Sequence, residues 1–124
     1  MELLVVVVIV GILAAVAYPS YRRQAIRANR TEAKVALMAL AGNLEKCYTR
    51  WHSYDPDDGC DVETDYTTES GNYIITAVDV DATSYELHAT PLGGQQDDMQ
   101  CGALTINEAG LKDKTGTGTV RDCW

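Results

Sequence analysis

This chain of 124 residues contains no phenylalanine, two histidines and, after Trp51, three basic side chains. Each scarcity removes a class of function. The histidines, His52 and His88, stand in no nucleophile motif, and no zinc-protease H-E-x-x-H, haem-attaching C-x-x-C-H or phosphate-binding glycine loop occurs. Catalysis needs several groups positioned together, so the sequence points away from an enzyme and calls for no cofactor. No metal is expected either: there is no C-x-x-C pair, and His52 lies near Cys47 without a finger's spacing. The acids around Asp55, Asp57 and Asp58 lack a calcium loop's order, since Gly59 comes one step early. Nucleic acid is not an expected partner, because DNA binding wants a basic surface. Beyond His52 only Lys112, Lys114 and Arg121, near Trp124, could supply one.

What the chain does have is an apolar opening. After Met1 and Glu2 the run from Leu3 to Ala17 is unbroken by any polar residue, has Gly11 as its only glycine, and closes on Tyr18-Pro19. It reads as a membrane-inserted or buried helix, slightly short of the ~20 residues that cross a bilayer. A carboxylate in hydrocarbon costs roughly 2.5 to 3.5 kcal/mol, so Glu2 is expected to be kept for a partner. A cleaved secretory signal would carry its basic residues ahead of the run. Here Arg22 and Arg23 follow it, and the segment is expected to remain in the working protein.

Beyond Pro19, apolar or semi-apolar residues recur at Ile26, Ala33, Leu37, Leu40, Leu44, Cys47 and Trp51, steps that hold one stripe on one side of a helix. The helix is therefore predicted to reach about Trp51, bent at Pro19 where an amide donor is missing. Its second half must leave any membrane, because some fifty helical residues extend ~75 Å at 1.5 Å each. Arg23, Arg27, Arg30 and Lys34 form a second stripe, readable as a solvated face or as a contact for a neighbour's acidic surface.

Charge is divided along the chain. Met1 to Trp51 carries seven basic side chains against three acidic ones, and His52 onward three against fifteen, within a net −8. A basic stalk and an acidic head attract one another between copies, although an acidic surface also simply favours solubility. His52 to Ser70 reads as a polar, acidic surface loop. Strands are predicted from Tyr73 to Val78, around Tyr85 to Thr90 and from Ala103 to Asn107, with a hairpin loop over Asp79 to Thr83 and a turn at Asn107 to Gly110. Gly116 to Thr119 promises little except flexibility. One long helix before an antiparallel sheet is an α+β arrangement, and four cysteines fit a small exported domain in need of covalent support.

The segment Glu2-Leu3-Leu4-Val5-Val6-Val7-Val8-Ile9-Val10-Gly11, continuing to Tyr18-Pro19-Ser20-Tyr21, resembles the N-terminal helix of type IV pilins. Cys101-Gly102-Ala103-Leu104-Thr105-Ile106-Asn107-Glu108-Ala109-Gly110 through Cys123-Trp124 is similar to the closing disulfide-bounded region of the pilins common in Gram-negative bacteria. The family's Phe-Thr-Leu-Ile opening is absent. Met1 stands where the residue before the glutamate would be, so the leader cleavage and N-terminal methylation that the resemblance implies have no assigned position here.

The resemblance implies a pilin fold, a long helix packed on a small antiparallel sheet with two disulfides. With sequence proximity, it favours Cys47 pairing with Cys60 and Cys101 with Cys123, among the three pairings four cysteines allow. It divides the chain into residues 1–24, a hydrophobic membrane anchor and filament core, and 25–124, a globular head that includes the rest of the helix. Glu2 matches the family's assembly glutamate, and Gly11 to Pro19 matches the segment that loosens in filaments. The implied function is a structural subunit, held in the inner membrane and then polymerised by assembly machinery with its own copies into a surface filament for adhesion, twitching motility or DNA uptake. The N-terminal helix is shared with pseudopilins of type II secretion, and some minor pilins bind DNA during uptake, so both remain alternatives.

Overall fold

In a computed structural model describing all residues from Met1 to Trp124, one helix, α1 (Glu2–Trp51), accounts for 50 residues. It ends where His52 turns left-handed (φ 56°) and returns its backbone N–H to the Tyr48 carbonyl. The helix continues through Pro19 without interruption, so the carbonyl of Ala15 lacks its usual donor while the helical path is kept. The predicted stripe does its work in the middle of α1, where Ala33, Leu37, Leu40, Ala41 and Leu44 are buried. It overshoots at the end. Trp51 is half exposed, its ring lying under the Cα of Gly59, a left-handed position (φ 110°) where an added Cβ would come within 3.2 Å of that ring.

The buried stripe packs on a five-stranded antiparallel meander, β1 (Tyr66–Thr67), β2 (Tyr73–Val78), β3 (Glu86–Pro91), β4 (Leu104–Asn107) and β5 (Lys112–Lys114), in sequential order. Alternation along the strands sends Tyr73 and Ile75, Leu87 and Ala89, and Leu104 and Ile106 to the helix side. Register aligns them: Ile75 faces Ala89, Ala89 faces Leu104, and Leu87 faces Ile106. A short helix, α2 (Val120–Cys123), is capped by the Thr119 side chain.

Two strands lie where the sequence predicts none. β1 falls in the acidic stretch, and β5 is a lysine-bearing edge strand with no apolar alternation to announce it. Nor is the segment after β5 slack: Thr115, Gly116, Thr117 and Gly118 donate backbone hydrogen bonds to Ala103, Cys101, Met99 and Gln100. A Cβ on Gly116 would collide with the Gln100 carbonyl, so the two segments run together only because that position is bare. Disulfides join Cys47 to Cys60 and Cys101 to Cys123. The first ties the end of α1 to the acidic loop, and the second ties α2 to the start of the β4 segment.

Candidate assembly surfaces

The first half of α1 is bare of apolar packing, and only Arg22, near its end, reaches the head. Every residue from Glu2 to Gln24 is exposed, and the apolar side chains from Leu3 to Leu13 present between 52% and 80% of their surface. At about 25 cal/mol per Å², such a rod is unstable in water and calls for lipid or protein around it. By length and composition α1 can cross a membrane. Glu2 and Gly11 lie on this bare rod, and Gly11 has no atom outside its own helix within 4 Å of where a Cβ would sit.

The rod joins the head through a polar clamp. Arg30 sends Nε and Nη2 to the two carboxylate oxygens of Asp98 at 3.0 and 2.9 Å, with both side chains buried. Asp98 also accepts the Cys101 backbone N–H, which fixes the carboxylate from behind. The Gln95 side chain donates to the Ile26 carbonyl and to the Tyr73 hydroxyl, while Asn29 donates to Gln95. Burial pushes the Tyr73 phenol above its ordinary range, and Arg22 pairs with Asp97 nearer the surface.

This geometry revises the basic stripe. Arg30 is committed to Asp98 within its own chain and is not on offer to a neighbour, whereas Arg23 and Arg27 are exposed. The stripe spacing contained the signal: Arg30 precedes Ala33 by three residues and Leu37 by seven, which puts it on the buried face. Asp98 and Gln95 carry no such mark, since the partners that define them are more than sixty residues away.

Two flanks of α1 differ in charge. On one side Lys34 donates to the Trp124 carbonyl at 3.4 Å, Lys112 lies 5.2 Å from the centre of the Trp124 ring, and the indole N–H is held by the Asp113 carbonyl at 2.9 Å. Burial first, then the nearby charges of Arg30 and Lys112, hold the Lys34 ammonium below its ordinary pKa. An open hollow of about 370 Å³ runs along this flank between Arg27, Arg30, Thr31, Lys34, Gln100 and Asp122. On the other side Glu32 accepts hydrogen bonds from the Ser70 backbone and hydroxyl, and Cys47 reaches the acidic loop through its disulfide. That loop presents Asp61, Glu63 and Asp65 outward, alternating with partly buried Val62, Thr64 and Tyr66.

At the far end of α1, Glu45 accepts from the hydroxyls of Tyr54 (2.9 Å) and Tyr85 (3.1 Å), and the Tyr54 ring meets that of Tyr85 edge-on at 4.8 Å. Burial, reinforced by Glu45, pushes the Tyr54 phenol up to about 12 and raises Tyr85 as well. The arrangement closes the top of the head and brings no nucleophile to a base.

A bare apolar rod on a disulfide-closed helix-and-sheet head is the form of a pilus subunit, and the comparisons agree. The family described as type IV minor pilin ComP, DNA uptake sequence receptor, matches residues 19–105. The chain belongs to this family of type IV pilins. Similar solved structures include the non-core minor pilin PilV of Neisseria meningitidis (20% identity, 77% of this chain and 92% of that chain, TM-score 0.57) and a type IV pilin from Shewanella oneidensis (22% identity, 80% and 97%, TM-score 0.52). At those identities they speak for the fold alone. No curated protein matches the chain. This pilin is thus a structural pilus subunit, anchored in the inner membrane before assembly and extracellular afterwards, and its bare helix is suited to both settings.

Proposed function

We propose that this pilin is a non-catalytic subunit that enters the filament by burying its exposed N-terminal rod among the helices of its neighbours, including further copies of itself, after delivery from the inner membrane by the pilus assembly machinery. The observation that carries this reading is the exposure of the apolar run Leu3 to Ala17, packed against no part of the head, beside a head that satisfies its own core. The closing Cys101–Cys123 region and the pilin family match favour a pilus over a secretion pseudopilin. Glu2 pairs with the N-terminal amine of an adjacent subunit and sets its register, since a carboxylate in an apolar core requires a cation. The stretch from Gly11 to Pro19 gives way when subunits pack, because Pro19 already leaves one carbonyl unserved. The test is Glu2→Ala in the piliated cell. Heads with unchanged thermal stability but no surface filaments are expected, and normal piliation would sink the idea.

A second reading is favoured by one observation, the convergence of Lys34 and Lys112 around Trp124 on an otherwise acidic head, together with a family described as a DNA uptake sequence receptor. The sequence alone argues against nucleic acid, but the folded chain gathers helix and edge-strand cations that are far apart in sequence. In this reading the flank meets phosphates. Full-length pilin in detergent micelles would bind duplex DNA with a log–log salt slope of roughly −0.9 per phosphate neutralised, and Lys112→Glu would weaken it. Binding that ignores salt or survives Lys112→Glu would refute the assignment.

A further inference from the structure

We propose that the two flanks of the head are complementary halves of one interface, so that the basic flank of one copy, Arg23, Arg27 and Lys34 on α1 with Lys112 on β5, seats against the acidic loop of a second copy. The proposal rests on the filament reading above and adds which surfaces meet. The sheet order places the halves apart, with the loop beside β1 at one edge and Lys112 in β5 at the other. Four strand spacings of ~4.8 Å separate those edges by roughly 19 Å. The helix confirms the sidedness, since Glu32 reaches Ser70 on the loop side and Lys34 reaches Trp124 on the other.

Charge supplies the complementarity. Between His52 and Ser70 the chain carries Asp55, Asp57, Asp58, Asp61, Glu63, Asp65 and Glu69 and no lysine or arginine. None of these carboxylates is ion-paired within the chain, and neither are Arg23, Arg27, Lys34 and Lys112, because the three ion pairs present involve other residues. On the basic flank Asp97 and Asp98 are paired with Arg22 and Arg30, and Asp122, which accepts the Thr119 hydroxyl, keeps its charge against the four cations Arg23, Arg27, Lys34 and Lys112.

Opposite flanks also give the right symmetry. A contact between different surfaces of identical chains is heterologous, and unless its rotation closes a ring it propagates as an open helical filament. Two like-charged flanks could not repeat in this way. The contact lies outside the apolar core, so at physiological ionic strength it works over a Debye length of about 8 Å and sets orientation more than total affinity.

The experiment is a charge swap in the full-length pilin expressed in piliated cells, with Arg27→Glu, Glu63→Arg and the double variant compared by the amount of pilin in sheared filaments. Both positions are exposed, and unchanged thermal melting of the solubilised chain checks that the head stays folded. Each single reversal should lower filament yield several-fold and the double should restore it. A second arm, Arg27→Cys with Glu63→Cys, should give a covalent ladder from oxidised filaments. Normal yield from both single variants with no ladder would overturn the flank pairing while leaving the filament reading intact. Absence of filaments from the unaltered chain would remove both. If Arg27→Glu and Lys112→Glu abolish salt-sensitive DNA binding while filaments assemble normally without a ladder, the basic flank belongs to DNA and the pairing is wrong.

Discussion

The two halves of α1 are continuous in backbone and opposite in circumstance. From Glu2 to Gln24 every side chain is exposed, while from Arg30 to Leu44 one face is sealed under a sheet. The same helical period thus serves two economies of burial. The lower half defers its apolar contacts to other molecules, and the upper half completes them within the chain. Stability of the fold and capacity to assemble are therefore carried by different residues, and substitutions should separate them.

The largest effect expected on the head comes from Arg30→Ala, which strands Asp98 as a buried charge without its partner. Breaking such a pair costs about 3 to 5 kcal/mol, and chemical denaturation of the solubilised chain would show it, whereas the exposed Arg27→Ala should stay within about 0.5 kcal/mol. Next comes the double replacement Cys101→Ser with Cys123→Ser. Opening a loop with a sequence separation of 22 residues releases about 3 kcal/mol of chain-entropy stabilisation, read in the same denaturation curve.

Alkaline pH should act on the top of the head. The Tyr54 phenol is raised from 10.0 to about 12 in the folded chain, chiefly by burial and then by Glu45. A folded pKa above the unfolded one means that this stabilisation is fully present below pH 10 and disappears as pH climbs towards 12. Near-ultraviolet dichroism should lose tyrosine signal over that window, and Tyr54→Phe should remove this component of the loss. The smallest effect on stability, and the sharpest contrast, belongs to Val7→Ala. The head's melting should not change, while filament yield falls because the side chain has contacts only in the assembled state. A shifted melting temperature would show that the two halves are not independent.

Much of this division was legible in residue order. The apolar run, the helix reaching Trp51, the spacing of Ala33, Leu37, Leu40 and Leu44, and the β2, β3 and β4 segments all follow from local periodicity, which is a short-range property. What escaped depends on distant partners. Arg30 reads as one more member of a basic stripe until Asp98, 68 residues on, folds against it. Lys112 and Trp124 look unremarkable until β5 forms at an edge, where strand pairing rather than apolar alternation defines the element. The glycines at 116 and 118 signal looseness by composition, but the meeting with Gln100 turns their lack of a side chain into a means of close contact. Trp51 shows the opposite error, since a correct period was extended one turn beyond the surface it packs on.

The polar clamp at residues 22–30 has a mechanical consequence. A pull along the rod enters the head at the first place where rod and head are joined, through Arg22 to Asp97, Ile26 and Asn29 to Gln95, and Arg30 to Asp98. All four attachments converge on the short segment from Gln95 to Asp98, which the Cys101–Cys123 crosslink anchors from its far side. Tension therefore reaches the covalently stapled corner of the head before it reaches the open strands of the sheet, and the joint shares load among several hydrogen bonds instead of peeling them one at a time.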